Sequence, residues 1–286
     1  MIGGTAYAKV NLGLRVGARG EDGFHPIDGI FQSVKIVDTL TLSPSEVDEI
    51  RSSDGRPVPD GIDNLAFRAA AAVRDVTNSS QPIAMGLDKT IPVAAGLGGG
   101  SADAAAALVL ASRFFGVGDD TLHELAPQLG SDVPFCLRGG TARVGGRGDE
   151  LESLDPLSGF VLAVVVPPFE LPTPAVFTQW DTMGEPPGLR IEPNQLPPTL
   201  RGKEALVNDL YPAAVILEPQ LDDWRRDLEH RWGRPVMLSG SGPSLYAFFL
   251  DQDEATDATT AVPAGARFAE PSPLSPVGWQ VGTHFR

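Results

Sequence analysis

Residues Lys89–Leu108 read KTIPVAAGLGGGSADAAAAL. An apolar, proline-containing segment enters a run of glycines, and a serine then opens a helix made mostly of alanine. Glycine has no Cβ, so Gly96, Gly98, Gly99 and Gly100 can take backbone angles closed to other residues and let a ligand approach the main chain. A helix starting near Ser101 aims unpaired N–H groups and the positive end of its dipole at that loop. The chemistry this suits is anion binding, with a nucleotide's phosphates as the expected anion. The plain alternative is a tight turn before a buried helix, although four glycines around Leu97 exceed what a turn needs. No lysine follows the glycines as a P-loop requires, and Ser101 stands where the dinucleotide fingerprint needs its third glycine.

Two further positions carry charge where the surroundings are apolar. Lys9 lies inside AYAKVNLGL and Asp132 inside LGSDVPF. A lysine in such a strand either reaches solvent along its stem or meets an acid; Asp132 is the acid we nominate, its alternative being a helix or turn cap. Asp103 falls in the first turn of the alanine-rich helix, where a carboxylate suits the dipole but would repel bound phosphate. It either points away as a cap or has Mg²⁺ beside it. Ser101 is open in the same way, as an N-cap or as a phosphate or metal contact. Cys136, the single cysteine, sits in DVPFCL and reads as a buried structural thiol.

The elements around these residues follow from pattern. Thr5–Val16 alternates as a strand or bent strand pair, and Phe31–Leu42 holds one or two more strands. Asp63–Val76 has helical character with Asp63 or Asn64 as cap. Ile83–Leu87 is a strand leading to the glycine loop, whose helix ends near Gly116. Asp120–Leu129 is a short helix, and Thr141–Val144 a returning strand. Val161–Val166, a continuous β-branched run, predicts a central strand covered on both faces, and Gly184–Pro198 a surface loop. Glu218–Trp232 is helical in pattern. Pro235–Ser239 then enters a second glycine cluster, SGSGPS, before the strand Leu245–Leu250.

Composition bounds the rest. The 286 residues suit one large domain or two packed closely, and 22 basic against 37 acidic residues give a net charge of −15. That balance argues against a nucleic-acid partner, and means an anionic ligand must be held by local groups. No stretch reads as a membrane span or signal core, so the expected location is cytoplasmic.

Three segments, AYAKVNLGL, GLGGGSADAA and LSGSGPSLYAFF, resemble in order the three motifs of the GHMP kinases (galacto-, homoserine, mevalonate and phosphomevalonate kinases). The three consecutive glycines look most like the branch that phosphorylates the 2-hydroxyl of 4-diphosphocytidyl-2-C-methyl-D-erythritol, in the non-mevalonate isoprenoid pathway. The resemblance implies an α+β fold of two domains, residues 1–152 and 153–286, with the site in the cleft between them. It implies an ATP-dependent enzyme using Mg²⁺, as monomer or homodimer. By it, Asp132 would accept the substrate's hydroxyl proton and Lys9 would orient it. ATP would lie on Pro92, Ala94, Ala95, Gly96, Leu97, Gly98, Gly99, Gly100, Ser101 and Ala102, with Asn64 and Lys89 toward the adenosine end. An exposed lysine and a helix-cap asparagine account for those two equally well. Mg²⁺ would involve Ser101 and Asp103. The cytidine end would be Phe24 stacking on the base, His25 bonding it and Phe177 covering the other face, with Asn11, Gly240 and Gly242 also on the substrate side. Taken alone, each phenylalanine reads as core and His25 as a surface turn residue. A homoserine or mevalonate type of kinase, or an inactive nucleotide-binding regulator, are the alternatives.

Overall fold

The computed structural model describes residues 1–52, 58–196 and 206–282. The chain opens with two long antiparallel strands, β1 (Ile2–Val16) and β2 (Ile27–Pro44), whose register shifts between Tyr7 and Ala8 and again between Asn11 and Gly13. Such shifts bend a strand and re-aim its side chains. Here they bracket Lys9 and Asn11, in a stretch from Ala8 to Leu12 that is buried on both faces.

After the short β3 (Glu49–Arg51) come α1 (Leu65–Val76), β4 (Ile83–Asp88) and α2 (Gly99–Phe115). Asn64 caps α1, its side chain accepting from the Ala66 amide at 3.0 Å. α2 ends at Gly116, which is left-handed as a C-terminal glycine should be. Residues Ala102–Ser112 are all buried, so its many alanines suit the close approach of α1, α3 (Asp119–Leu129) and α4 (Val133–Arg138) on one side and β1 and β2 on the other. β5 (Thr141–Gly145) and β6 (Glu150–Ser153) follow.

β7 (Val161–Val166) is wholly buried and opens a second sheet. Next are α5 (Thr173–Thr182), β8 (Leu189–Ile191), β9 (Leu206–Asn208), α6 (Tyr211–Leu217), α7 (Gln220–Trp232), β10 (Met237–Leu238), β11 (Leu245–Phe249), α8 (Gln252–Thr260), β12 (Phe268–Pro273) and β13 (Trp279–Gly282). The larger sheet runs β3-β4-β2-β1-β9-β8, with β13 also on β1 and β5 joining β2 to β6; the smaller runs β10-β11-β7-β12. The fold is α+β. β7 is central as its β-branched run predicts, between antiparallel neighbours β11 and β12.

One expectation is corrected here. Gly184–Pro198 is not loop throughout, because Leu189–Ile191 pair with β9 and Pro193–Gln195 form a 3₁₀ turn closed by the Glu192 amide donating to Gln195 at 3.0 Å. Pro197 and Pro198 lie outside the described residues. Among the described residues, no helix is long and apolar enough to cross a membrane.

Candidate active site

The two glycine clusters, far apart in sequence, are stitched together. Ser239 Oγ donates to the Gly96 carbonyl at 2.9 Å, the Ser244 amide to that of Ala95 at 3.1 Å, and the Lys9 amide to that of Leu97 at 3.0 Å. Gly96 has φ +76°, and a Cβ there would stand 2.4 Å from the Ser239 carbonyl oxygen. Gly98, at φ +68°, would put its Cβ 2.9 Å from Lys9 Cγ. Both positions therefore require glycine for conformation and for space. From Gly98 the chain turns directly into α2, so Gly99, Gly100 and Ser101 present the helix N-terminus to a cleft of about 900 Å³.

At the inner wall of that cleft lies the first charged pair. Lys9 Nζ is 3.2 Å from Asp132 Oδ2 and donates to Asn11 Oδ1 at 2.7 Å, over the face of Phe31. The lysine side chain is 5 % exposed, the aspartate 30 %. Asp132 does stand at the N-terminus of α4, but its side chain makes no capping bond. The carboxylate is thus held by Lys9 and still open to the cleft. Gly240 sits over Asn11 and Lys9, where an added Cβ would be 3.1 Å from Asn11 Oδ1.

The other end of the cleft is aromatic. Phe24 is 47 % exposed, with the Arg147 guanidinium 3.8 Å from its ring centroid. It is not core. His25 Nδ1 lies 3.0 Å from the Gly17 carbonyl and Nε2 3.3 Å from Asp181 Oδ1, with Phe177 and Trp180 packed against its ring. Its side chain is 8 % exposed, so the expectation of a surface turn histidine fails. Phe177 is partly buried and also lines the cleft.

Two family models match the sequence, the GHMP kinases N-terminal domain over residues 64–140 and the GHMP kinases C-terminal domain over residues 200–266. A 4-diphosphocytidyl-2-C-methyl-D-erythritol kinase of Corynebacterium efficiens is 38 % identical, over 91 % of this chain and 89 % of that protein. The chain belongs to the GHMP kinases. A Moorella thermoacetica protein of the same name is 39 % identical over 87 % of this chain and 90 % of its own. A crystal structure of 4-(cytidine 5'-diphospho)-2C-methyl-D-erythritol kinase superposes with TM-score 0.74 at 32 % identity, covering 94 % of this chain and 98 % of that one. The homoserine kinase of Cytophaga hutchinsonii, at 20 % identity and TM-score 0.71, shares the fold.

For this GHMP kinase, the remaining residues expected in the site divide cleanly. Pro92, Ala94, Ala95, Leu97 and Asn64 line the cleft, Asn64 while serving as the cap of α1. Gly242 does not line it; it supports the second glycine cluster, with its amide on the Ser239 carbonyl at 2.9 Å. Ala102 is buried in α2 and gives its amide to the Gly98 carbonyl at 2.9 Å, and it is absent from the cleft lining. Lys89 lines the cleft, yet it is no exposed lysine. Its ammonium bonds Asp38 and, at 2.6 Å, Asp103. Asp103 is therefore neither cap nor free: one oxygen takes Lys89, and Oδ1 is buried without a protein partner. Burial and the Asp38 carboxylate push its pKa up to about 8 against the pull of Lys89.

Cys136 is buried as expected, and burial drives its thiol far up in pKa. Sequence reasoning missed Ser239, the stitch to Gly96, and Asp38; Asn208, which the family resemblance puts at the domain junction with a helix cap as the alternative, donates its amide to the Leu238 and Gly240 carbonyls at 2.9 Å. Ser239 was legible in principle, as the first residue of SGSGPS. Asp38, in the plain strand sequence KIVDTL, gave no signal beyond a charge in a strand.

Proposed function

We propose that this chain is a kinase that transfers the γ-phosphoryl of ATP to the 2-hydroxyl of 4-diphosphocytidyl-2-C-methyl-D-erythritol. The observation that carries this is one cleft holding, in sequence, a glycine-lined helix N-terminus, the Lys9–Asp132 pair and an aromatic end with His25. The relatives named for that substrate support the choice. A mevalonate or homoserine acceptor has no base for Phe24 and Phe177 to stack on.

On this reading each group has a task. The phosphates rest on the backbone of Gly96–Ser101, where the α2 dipole favours negative charge. Asp132 takes the proton of the acceptor hydroxyl as general base. Lys9, fixed by Asn11, orients Asp132 and offsets charge on the transferring group. The unpartnered Asp103 Oδ1 and the Ser101 hydroxyl suit a Mg²⁺ that keeps most of its ligands from water and phosphate. When bound there, that ion would supply neutralisation of phosphate charge.

We also read residues 1–152 and 153–286 as the two domains, the second keeping the smaller sheet and returning β8, β9 and β13 to the larger. The test of function is phosphate transfer from labelled ATP to a panel of the cytidyl substrate, mevalonate and homoserine. Label on the cytidyl compound alone is expected; label on another acceptor in preference would overturn the substrate.

A further inference from the structure

Asp38 is a buried acid whose two oxygens are both bonded. It is 0 % exposed, and its Oδ1 accepts from the amides of Thr90 at 2.5 Å and Ile91 at 2.8 Å while Oδ2 takes the Lys89 ammonium. Those three donors are consecutive residues at the entrance to the glycine loop. Lys89 then reaches Asp103 on α2, the helix into which the same loop exits. Its ammonium also lies 3.3 Å from where a Cβ on Gly99 would be, directly beneath the first turn of α2.

The path Asp38–Lys89–Asp103 therefore ties strand β2 to both ends of the loop. A glycine-rich segment loses much conformational freedom on ordering, so a clamp at both ends lowers what ATP must supply on binding. We propose that Asp38 is a positioning residue that holds the phosphate-binding loop in its binding shape, and that Lys89 serves ATP through this clamp as the bridge between two carboxylates. This rests on reading the loop as the ATP site.

Replacing one member alone strands charge in the interior, which is costly to folding. Asp38→Asn keeps an oxygen for the Thr90 and Ile91 amides but turns a donor toward Lys89. It should raise the KM for ATP roughly tenfold or more, leave the KM for the cytidyl substrate within twofold, and lower kcat little. Hydrogen exchange of residues 89–101 should quicken in the nucleotide-free protein, where a general loss of stability would quicken the whole core. The double variant Asp38→Asn, Lys89→Met removes one charge of each sign. It should melt nearer the wild type than Lys89→Met does, yet bind β,γ-methylene-ATP as weakly as Asp38→Asn.

Equal loss in both Michaelis constants, or wild-type affinity for the analogue in either variant that carries Asp38→Asn, overturns the clamp. The underlying reading fails separately: in that case β,γ-methylene-ATP leaves exchange of residues 92–101 in the wild-type protein unchanged, and the proposal falls with it.

Discussion

Two lysines line the same cleft and both are bound by acid, but they are built for different work. Lys9 has one carboxylate partner, Asp132, at 3.2 Å, and that partner keeps 30 % of its side chain open. Lys89 has two, Asp38 and Asp103, exposed by 0 % and 5 %. The first arrangement leaves lone pairs facing the cleft where a hydroxyl can meet them. The second spends nearly every hydrogen-bonding position on the protein itself, with Asp103 Oδ1 the exception. An ion pair in a pocket is thus no mark of catalysis. What separates the two is unspent bonding capacity on the carboxylate and a path to it.

The sharpest break of this comparison is at Asp132. Asp132→Asn keeps shape and removes the proposed base, so kcat should fall by about 10²–10⁴ while ATP affinity stays within a few-fold. Steady-state kinetics and calorimetric titration on one preparation check this. Near-normal turnover would move Asp132 into the same class as Asp38.

Gly96→Val comes next, and it probes the loop more sharply than a change at Gly99 would. A Cβ on Gly99 meets only side chains, the nearest being Ile91 at 3.0 Å, whereas one on Gly96 meets backbone at 2.4 Å and needs φ +76°. The left-handed angle alone costs about 1–2 kcal/mol for a non-glycine residue, and the collision must also push the two glycine clusters apart. Binding of a non-hydrolysable ATP analogue should weaken by roughly tenfold or more, with circular dichroism showing a folded variant. Unchanged affinity would separate this loop from the phosphates.

How much of this was legible beforehand depends on range. The glycine loop, the β7 strand and a cap of α1 at Asp63 or Asn64 came from local pattern, and Asn64 is the cap; α2 starts at Gly99, so Ser101 lies inside the helix and is not its N-cap. Lys9 with Asp132 was legible because both charges sat among apolar neighbours, which leaves few places for either to go. Asp38 was not. Its meaning comes from three donors 51 to 53 residues away and from the packing that seals it. The stitching of Ser239 to Gly96, across 143 residues, is hidden for the same reason. Strand β8 was masked by the prolines around it, since three residues pairing at a sheet edge tolerate a composition that reads as loop.

At the aromatic end the expected effects are smaller. Phe177→Ala should raise the KM for the cytidyl substrate by about one to two decades, from the roughly 1–3 kcal/mol that a base–aromatic stack is worth. The KM for ATP should not move. Phe24→Ala should act in the same direction with little loss of stability, because Phe24 is 47 % exposed. Lower melting with normal substrate affinity in the Phe177 variant would make that ring core packing against His25.

The smallest effect tests the buried side of the comparison through pH. Burial and Asp38 raise the Asp103 carboxyl from 3.8 to about 8 in the folded protein. From about pH 4 to about pH 8 the native state therefore holds a proton that the unfolded chain has released, and stability falls as pH rises across that window. Lys89 does not blur the reading. Burial works against its charge, but Asp103 and Asp38 outweigh that and raise its pKa, so it stays protonated throughout. Asp103→Asn resembles the protonated acid and cannot ionise. In nucleotide-free and metal-free buffer, its melting temperature should decline less than that of the wild type between about pH 5 and about pH 8. Parallel curves for Asp103→Asn and wild type would mean that Asp103 is ionised in the folded protein and that burial does not hold a proton on it.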